Sequence, residues 1–122
     1  MTGEKILAVD DSRFLLKALT FVLEKAGYEV HTASDGEEAL QKAREERPAL
    51  ILLDAVMPKK DGYEVCREVK GDPDLSETRV IMLTGKGKEA DRERALAEGA
   101  DGHIAKPYNP TQILEQVRGI LG

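Results

Sequence analysis

The sequence predicts an α/β fold in which an open, doubly wound parallel sheet of five strands is covered by five helices. Three observations carry that prediction. Short apolar runs alternate with amphipathic stretches along the whole chain, the pattern of a parallel sheet with helices on both faces. The 122 residues suit one domain, and 41% hydrophobic with 34% charged residues is a globular balance. Right-handed crossovers leave few arrangements for five alternating units, chiefly the strand order 2-1-3-4-5, and five units are too few for an eight-fold barrel.

KILAVD, Lys5 to Asp10, reads as the first strand. Leu15, Leu19, Val22 and Ala26 then recur at spacings of three and four, giving one face of a first helix, with Gly27 where a C-terminal cap belongs. YEVHTA, Tyr28 to Ala33, is the second strand. Asp35 followed by Glu38 is a D-x-x-E variant of the capping box ahead of Ala39, Leu40 and Ala43, and Pro48 closes that second helix. ALILLD, Ala49 to Asp54, is the third strand, and the third helix runs from about Asp61 to Lys70 and ends at Gly71. Its Val65, Cys66 and Val69 share a face, so Cys66 is expected to be a buried, inert thiol. RVIMLT, Arg79 to Thr84, is the fourth strand. The fourth helix, around Lys88 to Glu98, is strongly charged and weakly amphipathic, ends at Gly99 and is the one expected to be mobile or to face a partner. GHIA, Gly102 to Ala105, is the fifth strand, and Asn109 with Pro110 starts a last helix whose apolar stripe is Ile113, Val117 and Ile120.

Composition narrows the function classes. A formal net charge of -5, with 18 basic and 23 acidic residues interspersed, gives neither a nucleic-acid footprint nor an anionic-membrane patch. One cysteine excludes an internal disulfide, and no apolar run approaches the roughly 20 residues that span a bilayer. With no signal-peptide pattern, a cytoplasmic protein is expected.

The stretch LILLDAVMPKKDG, Leu50 to Gly62, runs a buried strand directly into the carboxylate of Asp54. In a doubly wound sheet of this flavodoxin-like order, ligands bind at the carboxyl ends of the strands, near the switch point between strands 1 and 3. Asp54 ends strand 3, Asp10 and Asp11 end strand 1, Thr84 and Gly85 end strand 4, and Lys106 and Pro107 follow strand 5. Each has an ordinary explanation alone: Asp54 as a turn residue, Asp11 or Ser12 as a helix cap, Thr84 as a β-former, Lys106 as a solvated lysine. Together they require four coincidences on one sheet edge. Three carboxylates in one crevice repel one another, which would raise a pKa or demand a cation; a divalent ion resolves this, and all-oxygen ligation suits Mg²⁺. His31 and His103 stand alone, so no zinc spacing competes. A carboxylate nucleophile, a divalent ion, a hydroxyl and a lysine describe phosphoryl transfer, with an aspartyl phosphate as product.

These residues resemble the receiver domains of two-component response regulators, most of all the stand-alone receivers of the chemotaxis type, and the likeness covers residues 1–122. It rests on VDDS at Val9 to Ser12, SDGEEAL at Ser34 to Leu40, LLDAVMPKKDG at Leu52 to Gly62, MLTGKG at Met82 to Gly87, and EGADGHIAKPY at Glu98 to Tyr108. The resemblance implies that Asp54 is the phosphoacceptor and that Asp10, Asp11 and Asp54 hold Mg²⁺ with the backbone carbonyl of Val56. It further implies that Thr84 hydrogen-bonds the phosphoryl oxygens, that Lys106 pairs with their charge, and that the Lys106-Pro107 bond is cis. Met57 and Pro58 would begin a loop around the metal, and small Gly85 would leave room for the phosphoryl group. The implied partners are a histidine kinase or histidine phosphotransfer protein as donor, and a downstream target protein or output domain. Such a domain is no enzyme in the ordinary sense, since it catalyses only its own phosphorylation and dephosphorylation.

Two positions depart from that family. His103 stands where a switching Tyr or Phe is usual, and Gly102 replaces the usual acidic residue, so the phosphorylation chemistry is kept while the outward route of the signal is in question. His103 is read either as a smaller, titratable switch or as an ordinary strand residue. A haloacid-dehalogenase-like Mg-dependent phosphatase would need a second acid two residues after Asp54, where Val56 stands, and an FMN-binding flavodoxin would need a Ser/Thr/Gly-rich loop after strand 1. A receiver that never accepts phosphate is set aside because every expected side chain is present.

Overall fold

The structure is a computed structural model in which residues 3–57, 60–84, 89–105 and 109–121 are described. Strands β1 (Lys5–Val9), β2 (Glu29–Ala33), β3 (Leu50–Asp54), β4 (Arg79–Thr84) and β5 (Gly102–Ala105) alternate with helices α1 (Arg13–Lys25), α2 (Gly36–Glu46), α3 (Gly62–Gly71), α4 (Glu89–Ala97) and α5 (Pro110–Leu121). All neighbouring strands pair in parallel, in the predicted order β2-β1-β3-β4-β5.

Strand periodicity sorts the core into two layers. Leu7, Val9, Ile51, Leu53, Val80 and Met82 face one side, where they pack with Ala39 and Ala43 of α2, Val65 and Val69 of α3, and Ala95 of α4. Ile6, Ala8, Leu50, Leu52, Ile81 and Leu83 face the other, against Leu16, Leu19 and Leu23 of α1 and Ile113 and Val117 of α5. Central β3 is therefore apolar at four consecutive positions because both its faces are covered. Cutting a fully buried leucine such as Leu52 to alanine costs about 2–5 kcal/mol.

Register brings the strand ends level. Val9 pairs with Leu53, so Asp10 and Asp54 leave adjacent central strands at one height, and Asp54 pairs with Leu83 immediately before Thr84. This is the edge at which the sequence gathers its polar residues.

Two local expectations are corrected, the inward face of α1 and the capping of α2. The inward face of α1 is Leu16, Leu19 and Leu23, with Leu15 and Ala26 only partly buried and Val22 intermediate, so the helix is turned by one residue from the stripe read in the sequence. The expectation on Gly27 holds: it follows the C-cap Ala26 at φ 103°, the left-handed glycine that ends a helix. At α2, Asp35 accepts from the Glu38 amide at 2.9 Å, but the Glu38 carboxylate returns to the backbone amide and hydroxyl of Ser34, at 2.8 and 3.2 Å. At α5, by contrast, Asn109 and Gln112 cap each other reciprocally, at 2.9 and 3.0 Å. The expectations on Pro58, Gly85, Lys106 and the Lys106-Pro107 bond lie outside the described residues.

Candidate functional site

The carboxyl edge of the sheet is built from turns that occupy some side chains and leave others turned to one another. After β1, Asp10 is 5% exposed, and its Oδ1 accepts from the Ser12 amide at 2.8 Å. Ser12 is the N-cap of α1, its hydroxyl accepting from the Leu15 amide at 3.3 Å. Capping thus falls to Ser12, and the exposed Asp11 is not used for it. After β3, half-buried Asp54 accepts from the Val56 amide at 3.2 Å. One ligand oxygen from each of Asp10, Asp11 and Asp54 lies within 4.8 Å of the others, a hard-oxygen set that could hold a metal ion.

Thr84 ends β4 at 2% exposure, and its buried hydroxyl has no hydrogen-bond partner among the described residues. A buried polar group in this condition costs free energy unless something supplies a bond. His103 pairs with Met82, and Ala105 with Thr84, so these four residues share one face of the sheet edge. The His103 Nε2 is likewise buried without a partner among the described residues.

Sequence reasoning missed the two glycines that fix the loop after Asp54. Gly62 donates its amide to the Ala55 carbonyl at 3.0 Å, and a Cβ there would stand 2.1 Å from the Asp54 carbonyl oxygen. Across the loop, a Cβ on Gly36 would stand 2.0 Å from the Lys60 carbonyl oxygen. Both contacts are backbone against backbone and exclude any side chain. The signal was available: Asp35-Gly36 and Asp61-Gly62 are both an N-cap aspartate followed by a glycine opening a helix.

A second carboxylate cluster, Glu29, His31 and Glu46, lies on the β2 edge. It contains its own cation, Lys5, whose ammonium is 3.1 Å from Glu46 and holds that carboxyl below its usual range. Cys66 is fully buried and donates to the Glu98 carbonyl at 3.5 Å; burial pushes its thiol up to about 11, which makes it the inert residue expected.

Among the described residues no helix is long and apolar enough to cross a membrane. The sequence matches the family described as response regulator receiver domain over residues 6–118, from within β1 to within α5. It is 44% identical over 119 residues to the alkaline phosphatase synthesis transcriptional regulatory protein PhoP of Bacillus subtilis, covering 98% of this chain and 49% of that protein. It is 45% identical over 120 residues to the probable transcriptional regulator ycf27 of Guillardia theta, covering 98% and 46%. The chain thus spans about half the length of these curated relatives. Among solved structures, chemotaxis response regulator CheY4 of Vibrio cholerae superposes with a TM-score of 0.91 at 37% identity, covering 98% of this chain and 99% of that one. With residues 6–118 matched to the family and its five-stranded sheet superposing on a known member, this chain belongs to the response regulator receiver domains of two-component signalling systems.

Proposed function

We propose that Asp54 is the phosphoacceptor of this receiver domain, that Asp10, Asp11 and the Val56 carbonyl hold Mg²⁺ beside it, and that Thr84 and Lys106 bind the phosphoryl oxygens. The observation that carries this reading is the convergence of three carboxylates within 4.8 Å at the ends of the two central strands. The donor is a phosphohistidine on a histidine kinase or phosphotransfer protein. An Asp54 oxygen attacks phosphorus, the P–N bond breaks, and the imidazole leaves with its electron pair; water later cleaves the acyl phosphate. Bound Mg²⁺ supplies charge neutralisation between the carboxylates and the incoming phosphoryl oxygens.

The protein's own contribution is positioning. The rigid β3 strand below Asp54 and the glycine contacts of its loop hold the nucleophile in place, and the unpartnered Thr84 hydroxyl has a bond to offer the new dianion. A Thr84 drawn toward that charge leaves space that His103, on the same sheet face, fills. Output then passes to a target protein or output domain through the surface of α4, β5 and α5, without direct nucleic-acid or membrane contact by this domain. The domain resides in the cytoplasm and turns over no substrate beyond its own phosphoryl group.

Acetyl phosphate with Mg²⁺ tests the assignment. Intact-mass measurement should show one added phosphoryl group on the wild type, and none on Asp54→Asn or without Mg²⁺. Persistent labelling of Asp54→Asn at another carboxylate would overturn it.

A further inference from the structure

We propose that Arg94 of α4 is a positioning residue for the acceptor loop, a tie through which the placement of α4 and the geometry around Asp54 set one another. The proposal rests on the reading of the strand-end carboxylates as a metal and acceptor site. Arg94 reaches across to α3, its guanidinium carbon 4.1 Å from the centroid of the Tyr63 ring and its Nη2 4.0 Å from the Asp61 carboxylate. Tyr63 is 4% exposed, so the guanidinium lies over a ring that is otherwise enclosed.

Of the described α4 side chains from Arg92 to Ala97, Ala95 alone is buried, and Leu96 is 50% exposed. The C-terminal end of α4 is pinned from α3 through the Cys66 thiol on the Glu98 carbonyl. One helical turn earlier, nearer the carboxyl edge of the sheet, Arg94 forms the next attachment to α3.

From Tyr63 the contacts continue without a gap. Asp61 caps α3 by accepting from the Glu64 amide at 2.9 Å, and Gly62 donates to Ala55 while lying too close to the Asp54 carbonyl to admit a Cβ. Displacing Tyr63 therefore displaces Gly62, and Gly62 cannot move toward β3 without moving the backbone of Asp54. A contiguous packed path of this kind transmits in both directions, because coupling between two sites is reciprocal. Arg94 touches neither the metal site nor the acceptor and acts only through Tyr63 and Asp61.

The test compares wild type, Arg94→Gln and Arg94→Lys in two measurements. Amide hydrogen exchange without metal should speed about tenfold at Gly62 in Arg94→Gln, stay near wild type in Arg94→Lys, and leave Cys66 and Val69 inside α3 unchanged. Calorimetric Mg²⁺ titration should show affinity about 3- to 10-fold weaker in Arg94→Gln, with most of it restored by the lysine. Unchanged Gly62 exchange, unchanged Mg²⁺ affinity, or acceleration spread equally through α3 would each overturn the proposal. Failure of the acceptor reading is seen separately, as wild-type protein that takes no phosphoryl group from acetyl phosphate while the Gly62 result stands.

Discussion

The two ends of the sheet differ in how several of their polar residues are partnered. At the amino edge Asp101 accepts from the Val80 amide at 2.8 Å, lies 2.6 Å from the Lys70 ammonium and 3.8 Å from Arg79, while Lys70 also donates to the Thr78 carbonyl at 2.7 Å. The buried Thr78 hydroxyl donates to the Pro48 carbonyl at 3.0 Å. At the carboxyl edge three carboxylates crowd within 4.8 Å, and the buried Thr84 hydroxyl finds no partner among the described residues. Thr78 and Thr84 are similarly buried, at 6% and 2%, so burial is not what separates them. At the amino edge Asp101, Lys70 and Thr78 find their partners within the protein, with the buried Glu4 Oε1 the exception; at the carboxyl edge, under the proposed function, a metal ion and a phosphoryl group would complete the site.

Substitutions at each end break this contrast or sharpen it. The largest effect is expected for Gly62→Ala, whose Cβ must displace the Asp54 backbone: about 3 kcal/mol of stability by urea denaturation, together with loss of Mg²⁺ binding. An Asp101→Ala variant should lose about 1–3 kcal/mol because it strips the Val80 amide of its acceptor and leaves the Lys70 ammonium with the Thr78 carbonyl but no counter-charge. Its phosphorylation rate with acetyl phosphate should match wild type; a slowed rate would show that the two ends are not separable.

Asp11→Ala should do the reverse, weakening Mg²⁺ about tenfold in calorimetry, or about 1.4 kcal/mol, while leaving metal-free stability intact. Unchanged affinity would mean that the ion sits elsewhere. The effect expected from Cys66 is absent at neutral pH and opens only in alkali. Its thiol is raised from an ordinary 9.0 to about 11 by burial, so the folded state keeps a proton that the unfolded state releases. The stability this contributes is fully present below pH 9 and is lost as pH rises through about 11. Comparing thermal melts of wild type and Cys66→Ala across that window isolates it: the wild type should lose stability faster, and parallel curves would refute the assignment.

Much of the architecture was legible because it is written locally. Four-residue apolar runs mark strands covered on both faces, Asp35, Asp61 and Asn109 sit at helix starts because their side chains accept from amides three residues on, and the acids and hydroxyl at the strand ends stand out against those runs. These signals need no knowledge of the rest of the chain. The α1 face was not legible in the same way: Leu15, Leu16, Leu19, Val22, Leu23 and Ala26 offer two overlapping stripes. The sheet and α5 select Leu16, Leu19 and Leu23 from them. The Asp35-Gly36 and Asp61-Gly62 pairs mark helix starts but do not say that the glycines meet Lys60 and Asp54, and Arg94 against Tyr63 leaves no mark at all, for a related reason. Propensity and periodicity report a residue's near neighbours in the chain, whereas a backbone close approach or a guanidinium over a ring exists only after separate elements have packed.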